Sequence, residues 1–102
     1  IWVPHNDQVA FEIGTEIHFM KDTGIRTFFF WPDNNINRND ITIMPANPAD
    51  YMKDYVYNSG EGWSVHDVDS YRVPSIVTLT KVDTNRWLLS CNSPTHVMDW
   101  SY

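Results

Sequence analysis

A single cysteine, Cys91, stands among the 102 residues, so no internal disulfide can staple the fold. Stability has to come from packing or from association. Beside Leu88 and Leu89, a lone Cys reads as a small buried hydrophobe rather than a reactive thiol. Leucine and alanine are nearly as scarce, limited to Leu79, Leu88, Leu89, Ala10, Ala46 and Ala49. Without these strong helix formers a helical fold is disfavoured. Only 7 basic residues, scattered singly, face 13 acidic ones, for a net charge of -6. That balance excludes a nucleic-acid role, which needs clustered Lys and Arg, and disfavours an anionic membrane surface. No apolar run approaches the roughly 20 residues of a membrane-spanning helix. There is no N-x-S/T acceptor for N-glycosylation.

What is abundant is the material of pleated sheets: Val, Ile, Thr, and aromatics at 15%. In residues 3–20, VPHNDQVAFEIGTEIHFM, the apolar side chains of Val9, Phe11 and Ile13 alternate. After Gly14 the alternation resumes with Ile17 and Phe19, which predicts two short strands hinged at a glycine. Residues 21–24 read as a turn. Residues 25–31, IRTFFFW, form a strand apolar on both faces, as in a sheet centre or beneath a second chain, and Pro32 ends it. A polar loop at 33–40 leads to a short strand at 41–43. Residues 49–57 read either way: Tyr51, Met52 and Tyr55 share a helical face, yet Tyr51, Lys53, Tyr55 and Tyr57 alternate as in a strand. The Tyr and Val content favours strand or irregular structure. A turn at 58–62 precedes 63–68. Residues 76–82 and 86–91 form a hairpin with Val77, Leu79 and Lys81 on one face. The tail still carries His96, Val97, Met98 and Trp100, too apolar for a loose end. The expected fold is all-β: a small antiparallel β-sandwich or partly closed barrel of seven to nine short strands, forming one domain over 1–102.

Two blocks at opposite ends of the chain carry a resemblance. The first is V-P at 3–4 with V-A-F-E-I-G-T-E-I at 9–17. The second is S-I-V-T-L-T-K-V-D-T-N-R-W-L-L-S at 75–90, and T-F-F-F at 27–30 and I-T-I at 41–43 fall in order between them. Together they resemble a module near the C-terminal ends of many tailed-bacteriophage fibre, spike and virion surface proteins. There a V-x-V/I-P strand leads to an I/V-G-T segment, and an A-T-L-x-K-V-x-T-N-x-W-L-L-x-G hairpin closes the module. The resemblance spans roughly half of the chain. Asp40 and Cys91 stand where glycines are usual, and residues 45–70 are longer and richer in Tyr, as an insertion or recognition region would be. The resemblance implies a non-catalytic, commonly trimeric virion module, at the virion surface among other virion proteins, which in some members touches host-surface polysaccharide. Starting at Ile1 rather than Met, the chain reads as a processed product or a piece of a longer one.

Individual motifs weigh less. Asp33, Asn35 and Asn37 have the spacing of the first ligands of an EF-hand, but Arg38 replaces the required glycine and Met44 the closing Glu, so that reading fails. A looser calcium site would use Asp33 and Asp40. His5, His18, His66 and His96 lack zinc-ligand spacing. No nucleophile elbow, P-loop or H-E-x-x-H occurs, so the chain is expected to be neither an enzyme nor a cofactor protein. Trp87 and Trp31 are expected to pack a core. Strand residues Phe28, Phe29, Phe30 and Trp31 are the expected contact of a homo-trimer. Tyr51, Tyr55, Tyr57 and Trp63 are the expected recognition surface, since aromatic rings near loops suit sugar stacking. The rival reading is a monomeric carbohydrate-binding module attached to a larger enzyme.

Overall fold

The computed structural model describes residues 1–21, 27–33, 38–47, 60–67 and 74–101. Within them lie β1 (Trp2–Val3), β2 (Glu16–Lys21), β3 (Thr27–Pro32), a 3-10 turn (Arg38–Asp40), β4 (Thr42–Pro45), β5 (Gly62–Asp67), β6 (Ser75–Asp83), β7 (Arg86–Cys91) and β8 (His96–Ser101). They form two four-stranded sheets, β1-β3-β5-β8 and β2-β6-β7-β4, so the chain is all-β, as its composition predicts.

The period-2 patterning decides which side chains meet. On β6, Val77, Leu79 and Lys81 turn inward while Ile76 and Thr80 turn out. Phe30, Trp63, Val65 and Met98 of the first sheet face Ile43, Val77, Leu79, Trp87 and Leu89 of the second in one core. Phe19 of β2 reaches across to Phe30 of β3, edge to face with centroids 5.3 Å apart. Each such aliphatic or aromatic side chain removed from water stabilises the fold by about 1.5–3 kcal/mol. Trp63, fully enclosed, also donates its indole Nε1–H to Ile43 O at 2.6 Å, a polar tie between the sheets.

Three expectations need correction. The sheets are mixed, because β1 runs parallel to β3 and β4 parallel to β7; the antiparallel pairings are β2–β6, β6–β7, β3–β5 and β5–β8. The two sheets also remain separate, so the barrel alternative does not apply. Residues 9–13 are not a strand. Successive tight turns take up their amides (Val9 N to His5 O at 3.1 Å, Phe11 N to Val9 O at 3.2 Å), and Val9 and Ile13 are 46% and 66% exposed. Only Phe11 turns in, edge-on to Trp87. Residues 4–15 thus form a strap along the sandwich edge. Gly14 closes it with φ of 94°, a left-handed conformation that side chains resist.

The 76–91 hairpin is present as expected, tightened by a bulge between Lys81 and Asp83 and turning at Thr84 and Asn85. The expected elements at 22–26 and 48–59, and the looser calcium site's loop at 34–37, lie outside the described residues.

Candidate recognition face

Because cross-strand partners share a face, register fixes the outer surface of the first sheet. Trp2 lies opposite Trp31, Phe29 opposite Ser64, Ser64 opposite Asp99, and His66 opposite Val97. Three aromatic rings therefore gather at the β1–β3 side. Trp31 is central: Phe29 stacks on it at 5.2 Å with an interplanar angle of 19°, and Trp2 leans against it at 5.5 Å and 38°. Trp2 is 58% exposed and Phe29 44%, an unusual display for strand aromatics on a small protein.

Gly62 is what lets Trp31 lie down. A Cβ at that position would land on Trp31 Cδ1 and sit 2.7 Å from the backbone oxygen of Phe30. The absence of a side chain on β5 therefore seats the indole against the sheet. Its Nε1 is buried and has no hydrogen-bond acceptor among the described residues. At the β8 side of the same face the chemistry turns polar. His66 Nε2 stands 3.7 Å from Asp99 Oδ2, and Ser64 Oγ donates to Asp99 O at 3.3 Å. One face thus offers near-parallel rings beside an imidazole–carboxylate pair.

A second polar cluster holds the strap. Lys81, 2% exposed, extends its stem beside Trp87 and donates from Nζ to Asn6 Oδ1 and Phe11 O, both at 2.6 Å. Its backbone grips the same segment: Gly14 N donates to Lys81 O at 2.7 Å and Lys81 N to Thr15 O at 2.9 Å. Asn6 N donates to Asn85 Oδ1, and His5 sits between Asp7 and Asp40 with ring nitrogens 3.7 and 3.6 Å from their carboxylates. Beneath the strap lies an apolar cavity of about 180 Å³ lined by residues including Val3, Val9, Phe11, Leu79 and Trp87. These groups satisfy one another, and the arrangement is a clasp.

On the second sheet's outer face Glu16, His18 and Thr78 fall in the order of a catalytic triad, with His18 Nδ1 2.9 Å from Thr78 Oγ1 and Nε2 3.9 Å from Glu16 Oε2. They lie on an exposed strand surface, and β6 is paired on both sides, so its amides are not available to stabilise an oxyanion. Glu61 is the one acid whose pKa is displaced among the described residues: burial raises it above the usual 4.5. No three His, Cys, Asp or Glu side chains among the described residues converge as metal ligands.

Of the residues singled out from sequence, Trp63 is corrected outright. At 0% exposure it is a core residue and presents no ring to a partner. Tyr51, Tyr55 and Tyr57 lie outside the described residues. The Phe28–Trp31 strand divides by parity. Phe30 is fully buried and Phe28 packs inward on Phe19 and Phe30, so neither is open to another chain. Phe29 and Trp31, the other two expected contact residues, turn outward, and Trp31 is therefore not a core residue. Trp2 was missed. A two-residue strand leaves no periodicity, and the one available signal was an aromatic two positions before Pro4. Protein-family models, curated proteins and solved structures were all compared with the chain. None matches.

Proposed function

We propose that this chain is a non-catalytic recognition module of a tailed-phage virion surface, presenting the Trp2–Phe29–Trp31 face to host-surface polysaccharide. The observation that carries the reading is the seating of Trp31 on Gly62 between two further exposed rings. Near-parallel aromatic faces have a negative quadrupole that attracts the C–H groups of a pyranose ring, while a cage for a cation needs rings at steep angles.

The virion assignment draws support from how the two resembling blocks meet. The I-G-T segment bonds to Lys81 of the T-L-T-K-V strand, β2 pairs with β6 along its length, and β6 turns into the W-L-L strand. Segments far apart in the chain, from Glu16 opposite Thr80 to Lys21 opposite Ser75, thus form one contiguous unit. A net charge of -6 keeps neighbouring copies apart in solution.

A glycan array with the labelled chain tests the reading. Binding to at least one bacterial polysaccharide, lost in Trp31→Ala, is expected; silence across the array overturns it. The same exposed rings favour a second reading, in which this face is the contact of a homo-trimer. Light scattering over a hundredfold dilution separates the two. A stable mass near three chains assigns the rings to assembly, and a monomer leaves them free for ligand.

A further inference from the structure

Resting on the recognition reading above, we infer that the ligand is an uncharged polysaccharide, and that it is gripped at two places: rings at one side of the sheet and the His66–Asp99 pair at the other. The charge of the sheet decides the first part. Strands β1, β3, β5 and β8 contain no lysine or arginine, while β5 and β8 carry Asp67 and Asp99. The basic strand residues, Lys21, Lys81 and Arg86, all belong to the other sheet. The α-amino group of Ile1, at the β1 edge, is engaged by Phe29 O at 2.8 Å. On the described strands of this sheet, a polymer bearing carboxylate, sulfate or phosphate on each repeat would meet Asp99 with no lysine or arginine beside it, on a protein of net charge -6. Recognition of acidic groups works the other way, through arginine forks and lysines. The described strands of this sheet carry neither.

The second part follows from strand spacing. Trp31 and Phe29 are on β3 and Asp99 on β8, with β5 between, so rings and carboxylate stand two inter-strand steps apart, about 10 Å. One pyranose lying on the rings leaves its neighbour over Ser64, with hydroxyls toward Asp99 and His66. Asp99 Oδ2 accepts from a sugar hydroxyl. The side chains are 54% exposed at Asp99 and 32% at His66, open enough to be reached. Ser64, buried between them, is small enough to let a chain lie flat.

Affinity electrophoresis of the 102-residue chain tests this with named polymers in the gel: dextran, galactomannan and hydroxyethylcellulose as neutral probes, polygalacturonate and hyaluronate as acidic ones. Retardation by a neutral polymer, changed less than twofold by 0.5 M NaCl, is expected, with none by the acidic pair. Trp2→Ala should weaken it at least tenfold. Trp2 is exposed and outside the core, so this variant folds, which circular dichroism checks. Asp99→Asn should weaken binding severalfold while leaving acidic polymers still unbound. Retardation by an acidic polymer that salt abolishes overturns this inference and leaves glycan recognition standing. Binding to neutral polymer that is unchanged in both variants overturns the assigned face. No retardation by any polymer overturns the recognition reading itself.

Discussion

Gly62→Ala is the sharpest test of the seating of Trp31. The added Cβ would land on the indole and stand 2.7 Å from Phe30 O, well inside van der Waals contact. A side chain alone could swing aside, but the carbonyl belongs to the β3–β5 ladder and gives only if the sheet opens. Overpacking of this kind costs about 1–3 kcal/mol, and backbone involvement puts it near the upper end. Against it stands the smaller entropy of an unfolded chain with Ala in place of Gly, worth about 0.4–1 kcal/mol. Strain wins by about 2 kcal/mol, a fall in Tm on the order of 10 °C for a domain of this size. Urea unfolding followed by far-ultraviolet circular dichroism measures it. The cycle with Trp31→Ala apportions it: once the ring is gone, the added methyl no longer meets the indole, so the cost of Gly62→Ala should drop by more than about 0.5 kcal/mol. A variant as stable as the parent, or one equally destabilised with and without Trp31, would refute the argument that Gly62 exists to seat the indole.

Lys81→Met keeps the apolar stem beside Trp87 but strands Asn6 Oδ1 and Phe11 O; a loss of about 2–3 kcal/mol is expected. Amide exchange at Gln8 and Val9 should accelerate ahead of the sheet amides, because the strap opens first. Trp63→Phe deletes the 2.6 Å bond to Ile43 O between the sheets and should cost about 1–3 kcal/mol in urea titration with the all-β spectrum intact. Glu61 has a folded pKa raised by burial, so the folded state holds its proton more tightly than the unfolded chain does. Its favourable contribution is complete below the ordinary value of 4.5 and is lost as pH rises through the raised one. Glu61→Gln should therefore gain stability relative to the parent as pH climbs from 4 to 7, and denaturation midpoints that stay parallel across that range would contradict it.

The amino-acid sequence by itself determined the all-β class, the hairpin of β6 and β7, and the shared face of Val77, Leu79 and Lys81. Those follow from composition and a period of two, which act residue by residue. Lys81 illustrates the limit: its face was legible, but neither that this face turns inward nor its partners, because Asn6 and Phe11 lie about 70 positions away and reach it only when the strap closes. The alternation of Val9, Phe11 and Ile13 suggested a strand that does not form, since local turns take up the amides of Val9 and Phe11. Tertiary structure alone decided which side of a doubly apolar strand would be covered. Phe30 is buried and Phe28 partly buried because the second sheet lies over them. Phe29 is exposed and Trp31 half-buried because, among the described residues, no sheet lies over their side of β3. Trp2 and Gly62 complete that face from strands β1 and β5, and only parallel pairing on one edge and antiparallel pairing on the other bring them beside Trp31.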